Sequence, residues 1–170
     1  MTAAEVVRVA RETGATIAVA ESLTGGALAS AIVDVPGASA VLRLGVVAYD
    51  TAMKASVLGV DSRLLAERGP VDAEVARRMA EGVRTLAVTD GPATLGVATT
   101  GVAGPSPQGG HAVGEVHVGI ATAAGARSVR LDLDGDRASI RAQAVQAALA
   151  EALATLARAA EAPSATTGHP

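Results

Sequence analysis

Between Thr16 and Val33 an apolar run, Thr16-Ile17-Ala18-Val19-Ala20, gives way to Glu21-Ser22-Leu23-Thr24-Gly25-Gly26 and then to an apolar helical pattern. The run reads as a buried strand, and the spacing predicts a helix over Thr24 to Val33, ended near Pro36-Gly37. A strand that passes through small hydroxyls and glycines into a helix sets a serine at a helix N-terminus. Backbone N–H groups without intrahelical partners meet the positive end of the helix dipole there, a place that can hold an anion or a developing oxyanion.

The other segments repeat this alternation. Val6, Val7 and Ala10 predict a helix over Ala3 to Arg11, with Gly14 as its stop. Val41 to Tyr49 is β-branched and apolar, a second strand. Asp50 or Thr51 can cap a short helix through Val57, Asp61 another short turn, and Asp72 a longer helix from Ala73 to Thr89. Gly91-Pro92 breaks that helix, and Leu95 to Thr100 is a third strand. Gly114 to Thr122 and Ser128 to Leu133 read as a hairpin, and Arg137 to Ala160 as a long helix. Strands alternating with helices predict one three-layer α/β/α domain with a mixed sheet, over residues 1–161. Residues 162–170 lose periodicity and are expected to form a disordered tail. The chain is 49% hydrophobic but 1% aromatic, so its core must be built from Ala, Val, Leu and Ile.

Several function classes are disfavoured. A net charge of −3 with no basic cluster argues against nucleic acid as a partner. No apolar stretch approaches the ~20 residues of a membrane span, and the first residues lack the pattern of a signal peptide. Cysteine is absent, which removes thiolate chemistry and fits a cytoplasmic protein. His111, His117 and His169 match no metal-ligand spacing, so no metal is expected.

The candidate residues each carry two readings. Ser22 and Thr24 can be helix caps, or Ser22 a nucleophile at the strand end where open α/β sheets bind ligands. Lys54 can be a solvated helix lysine. It is also the only lysine among fourteen cationic residues, and arginine cannot give up its proton at ordinary pH; burial beside Ala52, Met53, Ala55 and Val57 would equip it as a base. Tyr49, the only aromatic residue, can cover the sheet edge, relay a proton, or stack on a flat heterocycle. Thr100 to Gly110 lacks the marks of a Walker or dinucleotide loop and can be a surface loop or a backbone nest for an anion. Arg137 and Arg141 lie four apart on one helix face, able to pair with Asp132, Asp134 and Asp136 or to clamp a phosphate. Those aspartates start like a calcium loop, but Arg137 and Gln143 stand where that loop needs glycine and glutamate.

Four blocks, Ala20 to Gly26, Tyr49 to Lys54, Thr100 to Pro105, and Gly135-Asp136-Arg137 with Arg141, together resemble the CinA C-terminal domain family, the nicotinamide-nucleotide amidohydrolases. The resemblance covers about Val6 to Leu156. It implies helices on both faces of a mixed, mostly parallel five-stranded sheet. It further implies deamidation of nicotinamide mononucleotide to nicotinate mononucleotide and ammonia, with Ser22 as nucleophile, Lys54 as base and Tyr49 assisting. Some members carry an N-terminal pterin-binding-like domain, for which this chain has no room. It departs from the family where Leu23 replaces a frequent cysteine, at Pro70-Val71-Asp72, and at His111-Ala112.

On this reading Thr24, Gly25 and Gly26 supply oxyanion amides, and Thr100, Gly101, Gly104, Arg137 and Arg141 bind the nucleotide, its phosphate going to Arg137 or to the Gly101–Gly104 loop. No metal or organic cofactor is needed. The partner is a small-molecule nucleotide, and the alanine-rich last helix could pack on a second copy. The rival expectations are a non-catalytic nucleotide-sensing or interaction module, suggested by the family's association with competence and DNA-damage operons, and an amidase for another small amide.

Overall fold

The computed structural model describes residues 2–161; the expected tail at 162–170 lies outside the described residues. The elements run α1 (Ala3–Thr13), β1 (Ile17–Glu21), α2 (Ala27–Val33), a 3₁₀ turn (Ala38–Ala40), β2 (Leu42–Val47), α3 (Thr51–Ser56), α4 (Ser62–Arg68), α5 (Ala73–Leu86), β3 (Leu95–Gly101), β4 (Glu115–Thr122), β5 (Gly125–Asp132) and α6 (Arg137–Glu161). The sheet order is β2-β1-β3-β4-β5. β1 pairs parallel with β2 and β3, whereas β3–β4 and β4–β5 are antiparallel. The sheet is thus mixed, as expected: four of its five strands run the same way and β4 alone is reversed. The hairpin adds one antiparallel pair, and its first strand docks antiparallel on β3.

Layering follows from the apolar periodicity. Val6, Val7 and Ala10 of α1, Leu28 and Ile32 of α2, and Val145, Leu149 and Leu156 of α6 share one core with Ile17, Val19, Val97 and Val118. On the opposite face Val75, Met79, Ala80 and Val83 of α5 pack on Ala18, Ala20, Ala98 and Ala121. Each central strand is therefore apolar on both faces, as a sheet covered twice requires.

A core almost without aromatics lets the layers approach closely. A Cβ on Gly119 would stand 2.0 Å from the Ala76 carbonyl oxygen, and one on Gly96 2.1 Å from that of Ala80. The backbone of α5 thus rests directly on β3 and β4. Gly119→Ala is expected to lose about 1–3 kcal/mol through this overpacking. Thermal melts would read it as a fall of several degrees; an unchanged midpoint would contradict the close approach.

The topology fixes where a site can lie. β1, β2 and β3 run parallel, so their C-terminal ends share one edge of the sheet. The chain leaves β1 toward β2 on one side and reaches β3 on the other, which opens a crevice beyond these ends. Among the described residues no helix is long and apolar enough to cross a membrane.

Candidate active site

Three strand ends and the start of α6 converge on one cleft of about 550 Å³, open to solvent. Ser22 and Leu23 follow β1, Tyr49, Thr51 and Lys54 follow β2, Thr100 and Gly101 end β3, and Gly104 follows it; Arg137 opens α6. Pro70 and Val71 complete one wall, and the Thr100 hydroxyl donates to the Pro70 carbonyl at 2.6 Å.

Lys54 sits in the last turn of α3, a helix capped by the Asp50 carboxylate, which accepts from the Ala52 N–H at 2.7 Å. That short helix turns the lysine inward, leaving it 1% exposed, the largest fully buried side chain among the described residues. Its Nζ lies 3.0 Å from Ser22 Oγ and donates to the Ala48 carbonyl at 2.8 Å. Burial takes the ammonium out of water and lowers its pKa to about 8, against a smaller opposing effect of Asp50. At pH 7 about a tenth of the molecules then hold the neutral amine, so the resting lysine is mostly protonated rather than neutral. Once neutral, Nζ can accept the Ser22 hydroxyl proton across the same contact while an N–H remains on Ala48.

The turn after β1 differs from the expected helix start. Gly25 and Gly26 have φ of +61° and +96°, outside the helical region, so α2 begins at Ala27 instead of Thr24. Neither Ser22 nor Thr24 caps it: the Ser22 hydroxyl faces Lys54, and the Thr24 hydroxyl meets that of Thr99 at 2.7 Å. The cap is Glu21. Its carboxylate accepts from the N–H groups of Gly26, Leu28 and Ala29 at 2.9, 3.0 and 2.8 Å, and the residue is 1% exposed. The Gly25 N–H donates to the Ser22 carbonyl at 3.1 Å. The amides of Gly25 and Gly26, expected for an oxyanion, therefore already have acceptors within the protein. Among the described residues none meets the N–H of Leu23, which adjoins the cleft.

Arg137 and Arg141 part company. Arg137 donates to the Gly104 carbonyl at 2.7 Å and to the Tyr49 hydroxyl at 2.9 Å, bridging two rims of the cleft. Arg141 instead donates to the carbonyls of Leu23 and Thr24 at 2.9 and 2.8 Å, strapping the serine turn to α6 from outside the cleft. Neither bonds the aspartates before α6; Asp136 caps that helix at the Ser139 N–H. Tyr49 is 60% exposed at the mouth, where its hydroxyl bonds to Arg137 and not to Lys54 or Ser22. Of the expected residues, Ser22, Lys54, Tyr49, Thr100, Gly101, Gly104 and Arg137 are brought together. Thr24, Gly25, Gly26 and Arg141 stand behind the serine.

Sequence reasoning missed Glu21 and the Ala48 carbonyl. The first had a signal, a lone charge ending a strand that is otherwise apolar on both faces; a backbone carbonyl has none. His111 and His117 lie outside the cleft and both bond the Glu115 carboxylate, at 2.9 and 3.1 Å; His169 lies outside the described residues. Among the described residues no group of three or more His, Cys, Asp or Glu could hold a metal ion.

Known proteins show the same arrangement of chain. A family model described as the CinA C-terminal domain matches residues 1–156. A CinA-like protein of Frankia casuarinae is 53% identical over 135 residues, which are 79% of this chain and 30% of that protein. The chain spans about a third of the length of the curated relatives it matches. Among solved structures, a competence-damaged protein (CinA) superfamily protein from Klebsiella pneumoniae superposes with a TM-score of 0.86 at 30% identity, covering 92% of this chain and 96% of that one. The competence/damage inducible protein CihA from Agrobacterium tumefaciens does so at 0.77 and 32% identity, covering 92% and 98%.

Proposed function

From the premise that the chain belongs to the CinA C-terminal domain family, we propose that it hydrolyses the carboxamide of nicotinamide mononucleotide to nicotinate mononucleotide and ammonia. The observation that carries this reading is the buried Lys54 amine 3.0 Å from the Ser22 hydroxyl. A lysine with its pKa brought down to about 8 and a serine within its reach form a nucleophile and its base.

In this mechanism neutral Lys54 takes the Ser22 proton as Oγ attacks the carboxamide carbon. The carbonyl oxygen becomes an oxyanion beside the Leu23 N–H, the amide next to the nucleophile. The lysine ammonium returns its proton to the departing nitrogen, which leaves as ammonia. Water, deprotonated by the same amine, then cleaves the ester and restores Ser22. Arg137, already bridging Gly104 and Tyr49 at the mouth, receives the phosphate, and the exposed Tyr49 ring offers a face to the nucleotide.

The pH dependence of ammonia release tests the scheme. Because the base works only when neutral, kcat/KM is expected to rise about tenfold per pH unit below about 8 and to level off above it. A profile flat between pH 6 and 9 would exclude Lys54 as the base.

A further inference from the structure

We propose that Glu21 is the residue that positions Ser22, acting through both its side chain and its backbone; this rests on the Ser22–Lys54 reading above. An ionised carboxylate at the buried end of β1 would be expensive without partners. It has three, the N–H groups of Gly26, Leu28 and Ala29. These are orphan donors of the first turn of α2, which Gly26, having no side chain, cannot cap for itself. The carboxylate therefore reaches forward from Glu21 and closes the turn 22–25 as a loop pinned at both ends.

The backbone of the same residue registers the base. The Glu21 carbonyl accepts from the Ala48 N–H at 2.8 Å, and the Ala48 carbonyl accepts from Lys54 Nζ at 2.8 Å. Lys54 Nζ meets Ser22 Oγ at 3.0 Å, and Ser22 is covalently next to Glu21. These four residues form a closed circuit in which nucleophile and base are referred to one point of the sheet. On the other flank the Ser22 N–H donates to the Thr99 carbonyl at 2.9 Å. A further consequence is directional. The protein's own anion fills the start of α2, so the anionic end of a substrate is turned toward Arg137 on the opposite rim while its carboxamide faces Ser22.

A purely stabilising carboxylate and a positioning one differ in what the folded variant does. Glu21→Gln keeps the shape but turns an NH₂ group toward at least one of the three donors. Glu21→Asp keeps the charge and withdraws it by one methylene. Two readouts apply to each variant: the rate of covalent labelling of Ser22 by a fluorophosphonate, and kcat and KM for nicotinamide mononucleotide. Labelling and kcat are expected to fall together by about 10–100-fold, as for sub-ångström to 1 Å displacements of a reacting atom. KM is expected to stay within about threefold and the pH midpoint to remain near 8. The two variants carry the same readout, so loss of one to misfolding leaves the other decisive. Folded variants that label Ser22 at the wild-type rate, or that change KM alone, would overturn the proposal. Ammonia release by the wild type judges the reaction itself, whereas labelling judges Glu21 without it.

Discussion

Replacing Lys54 by methionine is expected to abolish turnover and, at the same time, to stabilise the fold. The loss of function follows from chemistry: methionine fills a similar volume but accepts no proton, and removing a positioned general base costs roughly 10²–10⁴ in rate. Lys54→Arg is expected to fail as well, since the guanidinium retains its proton. The gain in stability follows from burial. Lowering the lysine pKa from 10.5 to about 8 means that the fold disfavours the ammonium, by about 3 kcal/mol at pH values below both. Methionine removes this penalty but leaves the Ala48 carbonyl without its donor, at about 1–3 kcal/mol. The balance at pH 7 is a modest net stabilisation, about 1 kcal/mol.

The sign of the pH dependence makes this prediction specific. Between pH 8 and 10.5 the unfolded chain still carries a protonated lysine that the folded protein has released, so wild-type stability rises with pH across that window. The advantage of the methionine variant is therefore full below pH 8 and fades toward pH 10.5. Denaturant unfolding at pH 7 and pH 10 reads both limits. A methionine variant less stable at pH 7, or one whose advantage grows with pH, would contradict a desolvated lysine.

Ser22→Ala is expected to produce the largest functional loss, on the order of 10⁴–10⁶ in kcat, as when the nucleophile of a covalent hydrolase is deleted. The fold should barely register it. Ser22 does not cap α2, and its backbone bonds to Thr99 and Gly25 survive the change. The expected affinity for nicotinamide mononucleotide, measured calorimetrically, stays within a few-fold of wild type, because Arg137 and the mouth of the cleft remain intact. Retained binding with lost turnover separates a nucleophile from a residue that only shapes the pocket.

Much of this was legible in the sequence, for reasons that differ by residue. β1 announced itself by an unbroken apolar run and α5 by Asp72 and its periodic apolar stripe, because burial on two faces or one leaves a distinct pattern. Ser22 and Lys54 stood out through placement and through the absence of any other lysine. The start of α2 was misread because Ser22 and Thr24 have the chemistry of caps; what decides the boundary is the positive φ of Gly25 and Gly26, and glycine accommodates many conformations in a sequence. The split between Arg137 and Arg141 was hidden too. One turn of helix separates them, yet it carries one to Tyr49 and Gly104 and the other to Leu23 and Thr24, contacts with residues 33 to 118 positions away in the chain. Tyr49 shows the converse: its rarity marked it, but its direction, outward to Arg137 and away from Lys54, is a tertiary fact.

The most direct test of the central claim is ammonia release from nicotinamide mononucleotide by the purified protein beside its Ser22→Ala variant, without added metal. Release by the wild type that disappears with the serine hydroxyl is the expected result. Equal release by both proteins would exclude Ser22 as nucleophile, and no release by a folded wild type would assign the cleft to another amide or to nucleotide binding without hydrolysis.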